Sequence, residues 1–135
     1  MSKKMPQIRE YMTPTPHTIG ADIPLKKAQE HMREFRMRHL PVRRDGHLVG
    51  IVSDRIINEA LATPEGARLA VEDVMIPNPF HVEPQTPLDL VVAEMAEEKY
   101  GCALIQDASG KLLGIFTTVD ACRALRQILE TVYPE

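Results

Sequence analysis

The chain has 135 residues, 44% of them apolar, which is enough for one compact domain with a packed core and excludes a disordered segment. No stretch approaches the roughly 18 apolar residues that cross a bilayer. The N-terminal sequence MSKKMPQIREYM has no apolar run behind its lysines, so we expect a cytoplasmic protein without a signal peptide. The net charge of -3 and the absence of Trp argue against a nucleic-acid surface.

The first half of the chain predicts elements in the order β-α-β-β-α. A proline-rich segment, Thr13 to Pro16, cannot be helical because proline lacks an amide donor and restricts its predecessor. A short extended piece follows, and then a helix that begins beside Pro24. Two strands flank a turn at Asp45-Gly46, and a helix from Ile56 to Ala62 closes this half. The apolar residues at helical spacing in the first helix are Leu25, Ala28, Met32 and Phe35.

The second half repeats the first at an offset of 63 residues, which becomes 64 from the hairpin turn onward. The repeat unit is therefore about 60 residues long. Its proline segment runs from Ile76 to Pro79, its turn contains Ser109-Gly110, and its closing helix runs from Val119 to about Val132. Identical residues at the matching positions include Met12 and Met75, Pro14 and Pro77, Pro24 and Pro87, Met32 and Met95, Gly50 and Gly114, and Ala60 and Ala124.

One repeat is too small to bury its own sheet. We therefore expect an α/β (α+β) fold in which two β-α-β-β-α repeats pack sheet to sheet with pseudo-twofold symmetry. The expected boundaries are 8–62 for the first repeat, 63–73 for a linker with one helical turn, and 74–133 for the second repeat.

The order of motifs resembles a tandem pair of cystathionine beta-synthase (CBS) domains, also called a Bateman module. The motifs are an MTPxP segment, a strand that begins RHLPV, and strands that end GIVS and GIFT, and they cover nearly the whole chain. The resemblance implies a non-catalytic regulatory module, here standing alone. It also implies that an adenosine ligand (AMP, ADP, ATP or S-adenosylmethionine) binds in a cleft between the repeats, with no other cofactor required.

In this family an S/T-x-x-D motif from one repeat holds the ligand, with the hydroxyl near the phosphate and the aspartate on both ribose hydroxyls. The second repeat matches the motif at Thr117 and Asp120, with Thr118 between them. A carboxylate can accept both hydrogen bonds of a ribose cis-diol. The resemblance assigns the rest of this cleft to six residues of the first repeat: Met12, Pro16, His17, Met37, Arg38 and His39.

The first repeat departs from the motif. Ser53 is in place, but Ile56 stands where the aspartate is needed, and Asp54 is two positions early, roughly 200° away around the helix. The second cleft therefore lacks its ribose carboxylate. Its other residues by resemblance are Phe80, Tyr100, Gly101 and Cys102.

Several of these residues also have a structural interpretation. Thr117 with Asp120, and Ser53 alone, fit helix caps, Arg38 and His39 fit exposed positions at a strand edge, and His17 fits a turn. The histidines show no i, i+4 pair on one helix, so we expect no metal site. Cys102 and Cys122 are expected to be buried, reduced core thiols.

The sequence contains no nucleophile elbow, phosphate loop or HExxH pair, so we expect no catalysis. We expect signalling to an unidentified partner protein and a homodimer through the apolar side of the closing helix, which carries Ile128, Leu129 and Val132. Two alternatives remain open. One is a constitutive dimerisation or docking module without a ligand, and the weaker one is single-stranded nucleic-acid binding through Arg36, Arg38, Arg43 and Arg44.

Overall fold

The computed structural model describes residues 3–14 and 17–134. The chain divides into two compact units: unit 1 comprises Met1–Thr15 and Phe80–Glu135, and unit 2 comprises Pro16–Pro79. The N-terminal segment therefore belongs to the same unit as the second sequence repeat.

Unit 1 contains a four-stranded mixed sheet in the order β1-β8-β7-β6. Strand β1 is antiparallel to β8, and β6 is parallel to β7. A 3-10 turn, Ile8–Glu10, precedes β1. The elements are β1 (Thr13–Pro14), β6 (His81–Val82), α4 (Leu88–Glu98), β7 (Cys102–Gln106), β8 (Leu112–Thr117) and α5 (Thr118–Val132).

Unit 2 contains the equivalent sheet in the order β2-β3-β4-β5. The linker forms two short helical pieces, the 3-10 turn Gly66–Arg68 and helix α3 (Val71–Val74), where the sequence predicts one turn. The other elements are β2 (Ile19–Gly20), α1 (Leu25–Glu34), β3 (His39–Arg44), β4 (His47–Ser53), α2 (Asp54–Leu61) and β5 (Ile76–Pro77). The predicted α/β class and the element order β-α-β-β-α are confirmed in both units.

The closing helices begin earlier than predicted, because each starts directly after a side-chain cap. Ser53 accepts a hydrogen bond from the Ile56 amide, so α2 begins at Asp54. Thr117 accepts from the Asp120 amide, so α5 begins at Thr118. A hydroxyl at this position satisfies an amide that the helix itself leaves unpaired.

The proline segments form two-residue strands, and the same glycine contact holds each of them. A Cβ atom at Gly114 would come within 2.5 Å of Met12 Sδ, and one at Gly50 within 2.6 Å of Met75 Sδ. Only glycine leaves room for the methionine side chain at these positions. The methionine and the glycine that recur in the sequence therefore contact each other in both units.

Each unit has its own apolar core. In unit 2, Leu25, Ala28 and Met32 of α1 are buried as predicted, whereas Phe35 caps that helix and is 44% exposed. In unit 1 the N-terminal segment contributes Ile8, whose amide donates to the Thr86 carbonyl at 2.8 Å. This residue anchors the segment that carries β1.

Candidate functional site

Asp120 is a buried carboxylate at the start of α5, with 5% of the residue exposed. Its Oδ2 accepts from the Thr117 amide at 2.9 Å, and its own amide donates to Thr117 Oγ1 at 3.3 Å. These reciprocal bonds form a capping box, which satisfies two amides at the helix start. Thr117 and Asp120 therefore form the helix cap that the sequence indicates.

The same carboxylate accepts two further donors that the helix cap does not need. Thr13 Oγ1 in β1 lies 3.1 Å from Asp120 Oδ1 and 3.3 Å from Oδ2. Arg123 Nη1, one turn further along α5, lies 3.1 Å from Oδ1. A carboxylate has about four lone-pair sites, and these donors occupy those that the cap leaves. A ribose diol can therefore bind both oxygens only if Thr13 and Arg123 move aside.

A depression of about 220 Å³ opens beside Asp120 in unit 1. It is smaller than the roughly 300–1,000 Å³ of typical small-molecule pockets, so it has room for part of a nucleotide, such as a sugar. Its lining residues are Glu10, Tyr11, Met12, Thr13, Pro14, Asp120, Arg123, Ala124 and Gln127. The predicted contact Met12 thus lies with Asp120, while Thr118 is exposed in the first turn of α5.

Unit 2 has isoleucine at both positions that form the polar pair in unit 1. Ile56 replaces Asp120, and Ile76 replaces Thr13 in the same sheet register, since Ile76 pairs with Ile51 as Thr13 pairs with Ile115. Ile76 is 51% exposed. Unit 2 therefore keeps the helix cap at Ser53 but has no carboxylate that could accept a diol there.

The other predicted contacts of the first repeat lie in unit 2. The His17 ring packs on Phe35 with centroids 4.3 Å apart and lies 5.6 Å from the His31 ring. Met37 and Arg38 line a second depression of unit 2, and His39 is the first residue of β3. Pro16 lies outside the described residues.

The residues assigned to the second cleft divide between the two units. Ser53 caps α2 in unit 2. In unit 1 the Phe80 and Tyr100 rings stack with centroids 5.0 Å apart, and the Gly101 carbonyl accepts from the Thr118 amide at 3.2 Å. The stacked rings, with Gly101 beside the first turn of α5, form one local group.

His39 and Cys102 occupy equivalent positions at the first residues of β3 and β7, and burial disfavours the charged form of both. Burial lowers the pKa of His39 below its usual 6.5, with Asp54 opposing and Arg38 adding to the shift. Burial raises the pKa of the Cys102 thiol to about 12. At neutral pH both side chains are therefore uncharged.

The prediction that Cys122 is buried is wrong, because this residue is exposed on α5. Ala124 faces the core, and Cys122 stands two positions earlier, about 200° around the helix from it. Cys102 is buried as predicted.

Sequence reasoning missed Thr13 and Arg123 as partners of Asp120. The repeats contained a signal for Thr13. Isoleucine stands at the equivalent position of Thr13, which is Ile76, and also at the equivalent position of Asp120, which is Ile56. The spacing of three between Asp120 and Arg123 is typical of helix ion pairs. The differences between the repeats thus indicate the first contact, and helix spacing indicates the second.

Among the described residues, no helix combines the length and apolar character needed to span a membrane. In the same part of the chain, no group of three or more His, Cys, Asp or Glu side chains is placed to hold a metal ion.

Comparison with known proteins identifies similar chains over nearly the full length. The family model for the CBS domain matches residues 8–63 and 71–127. A CBS domain-containing protein of Dictyostelium discoideum is 29% identical over 140 residues, which is 95% of this chain and 97% of the relative. The CBS-pair protein CBSX2 from Arabidopsis thaliana is 30% identical, with a TM-score of 0.81 over 93% of this chain and 97% of that chain. A structure of CBSX2 in complex with AMP superposes with a TM-score of 0.80, at 30% identity, over 90% of this chain and 97% of that chain.

Proposed function

Because this chain belongs to the CBS domain family, we propose that it is a non-catalytic regulatory module that binds an adenosine ligand through Thr117 and Asp120. The observation that carries the proposal is the buried Asp120 carboxylate, whose two oxygens accept exchangeable side-chain donors beside an open depression. A structural cap alone needs only the Thr117 bonds. The additional donors, Thr13 and Arg123, keep the carboxylate satisfied when no diol is bound.

AMP is the first ligand to test, because the similar protein CBSX2 has been solved with AMP. ADP, ATP and S-adenosylmethionine share the ribose diol that Asp120 would accept. The Thr117 and Thr118 hydroxyls can donate hydrogen bonds to a phosphate. They lie at the start of α5, where the amide dipoles of a helix favour anions. Met37, Arg38 and His39, in unit 2, remain predicted contacts of the same ligand.

A thermal-shift titration with AMP, ADP, ATP and S-adenosylmethionine tests the proposal. A ligand at about 100 times its dissociation constant adds about 2.7 kcal/mol of stability, which raises the melting temperature of a chain this size by several degrees. If no compound at millimolar concentration shifts the midpoint, the proposal is wrong.

Asp120→Asn is the matching variant, because it keeps the shape of the side chain and removes one acceptor oxygen. We expect AMP affinity to fall about ten- to a hundredfold, the effect of a charged hydrogen bond. Ile56→Asn changes the equivalent position of unit 2 and controls for general effects of the substitution. Equal losses in both variants would contradict the assignment of Asp120 as the ribose acceptor.

We also propose that regulation acts through a homodimer that forms on α5 and signals to a partner protein. Support comes from four of the five large apolar side chains that this helix exposes, which follow one another at helical spacing, namely Leu125, Ile128, Leu129 and Val132. A contiguous apolar surface of this kind is typical of interaction sites. Sedimentation of Leu129→Glu beside the wild type tests this part, and a dimer that persists in the variant would place the interface elsewhere.

A further inference from the structure

Unit 1 exposes large apolar side chains on both α4 and α5, whereas α1 and α2 of unit 2 keep theirs at least partly buried. In the described ranges 3–14 and 17–134, Phe35 is exposed only where α1 has ended. Contiguous exposed apolar side chains are typical of interaction surfaces. The helices of unit 1 expose seven of them: Leu90, Val92, Val119, Leu125, Ile128, Leu129 and Val132.

Helix α4 separates an apolar side from an acidic one. Val92, which is 37% exposed, and Ala96 are four residues apart and lie on one side of the helix. Glu94 and Glu98 each follow one of them by two positions, about 200° around the helix. A surface that covers Val92 and Ala96 therefore avoids these two carboxylates.

The apolar side of α4 corresponds to the side of α1 that meets the next helix. In unit 2, Gln29 Nε2 on α1 donates to Asn58 Oδ1 on α2 at 2.7 Å. Val92 and Cys122 stand at the two equivalent positions of unit 1, and both are exposed. Unit 1 therefore has apolar side chains where unit 2 joins its helices through a polar bridge.

Helix α5 continues this surface. Cys122, Leu125 and Leu129 are spaced by three and four residues, so they lie on one side of the helix. Leu125 is 55% exposed and Leu129 is 44% exposed. We call the surface on the two helices the apolar face; its residues are Val92, Ala96, Cys122, Leu125 and Leu129.

The matching surface of unit 2 is a poor partner for the apolar face. It has Arg33 in place of Ala96, next to the bonded pair of Gln29 and Asn58. Contact with the apolar face would remove water from the Arg33 guanidinium and offer it no hydrogen-bond acceptor. The apolar face of a second copy carries no such polar group, so its burial has no comparable cost.

Charges around the apolar face determine which helices can meet. Helix α4 has four carboxylates and no basic side chain, namely Asp89, Glu94, Glu97 and Glu98. Two α4 helices in direct contact would therefore repel each other. Helix α5 instead borders the face with Arg126, whose side chain is 80% exposed and pairs with Glu130 at 3.0 Å. An exposed pair of this kind contributes little to stability, so Arg126 is available to the carboxylates of another α4.

We propose that the apolar face pairs with the same face of a second copy, with α4 of each chain against α5 of the other. In a two-fold contact each such pairing occurs twice. The inference rests on the proposed homodimer and specifies which surfaces meet in it, with unit 1 facing unit 1. It does not depend on the adenosine ligand.

Sedimentation velocity of the full chain tests the contribution of α4. Val92→Glu places a carboxylate inside the contact in both copies, so the dissociation constant of the dimer should rise at least about tenfold. Leu90→Glu is the matched control, because it makes the same change at a 60% exposed position of the same helix, about 200° from Val92. It should change the dissociation constant less than about twofold, and circular dichroism melting verifies that both variants fold.

Cross-linking between differently tagged chains tests which helices meet. The wild type has its accessible thiol at Cys122 on α5, since burial raises the pKa of Cys102 to about 12. The variant Val92→Cys with Cys122→Ser moves this thiol to α4, and Asn58→Cys with Cys122→Ser moves it to α2. A bismaleimide that spans about 10 Å, one helix diameter, should join the wild type to the α4 variant and not to the α2 variant.

The results separate this arrangement from the homodimer itself. A wild type that sediments as a monomer would contradict both. A dimer that Val92→Glu leaves intact, or a wild type that links to the α2 variant and not to the α4 variant, would overturn the arrangement and leave the homodimer standing. Links only between two wild-type chains would show that α5 meets α5, which also overturns it.

Discussion

The two units share one scaffold and differ where the proline segment meets the start of the closing helix. Unit 1 has Thr13 hydrogen-bonded to Asp120 there, and unit 2 has Ile76 and Ile56 at the same positions. Because both members change together, neither unit is left at these two positions with one polar side chain that lacks the other. The comparison separates the residues that the fold needs in both units, such as Met12 and Gly114, from those that one unit uses for another purpose.

The two units also differ in the sign of the charged side chains that they group together. Unit 1 holds its carboxylate among satisfied donors, while unit 2 concentrates arginines that have no carboxylate partner among the described residues.

The largest expected effect tests how differently the two cores are packed. Phe116 pairs with Ala103 across the sheet of unit 1, and Val52 pairs with Leu40 in unit 2, with all four fully buried. Phe116→Ala should cost about 3–5 kcal/mol in the free energy of unfolding. Val52→Ala removes fewer carbon atoms and should cost about half as much. Urea unfolding followed by circular dichroism measures both.

A second substitution should restore the stability lost in unit 1. Phe116→Val with Ala103→Leu transfers the pair of unit 2 into unit 1 and roughly conserves volume, so we expect most of the lost stability to return. A double variant no more stable than Phe116→Ala would show that the two cores are not interchangeable at this layer.

Thiol chemistry provides the next contrast. Burial raises the pKa of Cys102 to about 12, so its reactive thiolate is scarce at pH 8, whereas Cys122 is exposed. We expect iodoacetamide to modify Cys122 at least about a hundredfold faster in the folded chain. Peptide mass spectrometry over time measures both rates. Similar rates in the folded chain, together with equal rates in urea, would contradict the burial of Cys102.

Local and repeated features of the fold were predictable from the sequence. Proline positions, helical spacing and the Asp45-Gly46 turn predict the element order, and both residues of that turn have positive φ. Thr117 and Asp120 were recognisable because a capping box is a contact between residues three apart.

Contacts between distant parts of the chain were not predictable in the same way. Strand β1 has only two residues and pairs with β8 about a hundred residues later, since Thr13 lies opposite Ile115. No local pattern indicates such a short strand. The exposure of Cys122 was missed for a related reason, because a small side chain such as cysteine, here between Ala121 and Arg123, fits either side of a helix. The left-handed turn at Arg36 was also not predictable, because neither glycine nor asparagine marks it in the sequence.

A double-mutant cycle on Thr13 and Asp120 tests the polar pair, with a smaller expected effect. Thr13→Val and Asp120→Ala each remove one partner, and we expect a coupling energy of about 1–2 kcal/mol, as for a hydrogen bond to a charged group. The cycle of Ile76→Val and Ile56→Ala in unit 2 should give less than about 0.5 kcal/mol. Thermal or urea unfolding supplies the energies, and equal coupling in both units would contradict the difference between them.

The same variant informs the adenosine proposal. Thr13→Val removes a donor that competes for the Asp120 oxygens, so AMP affinity should rise a few-fold, the effect of one displaced hydrogen bond. Ile76→Val is the matched control and should leave AMP affinity unchanged. A loss of affinity in Thr13→Val would show that the hydroxyl contacts the ligand.

The smallest expected effect concerns pH and compares the equivalent positions His39 and Cys102. Burial lowers the pKa of His39 in the folded chain below 6.5, so the unfolded chain takes up this proton at a higher pH than the folded chain. Stability from His39 is therefore complete above about pH 6.5 and decreases as the pH falls toward the folded pKa.

His39→Gln should remove that part of the acid destabilisation, so its melting temperature should fall less than that of the wild type between pH 7.5 and pH 5. Cys102→Ser alters the equivalent residue of unit 1 and should keep the wild-type slope, because a thiol with a raised pKa does not titrate in this range. Asp54 opposes the lowered pKa of His39, and Asp54→Asn should therefore steepen the loss at low pH. A wild-type slope in both His39→Gln and Asp54→Asn would mean that His39 is not desolvated in solution.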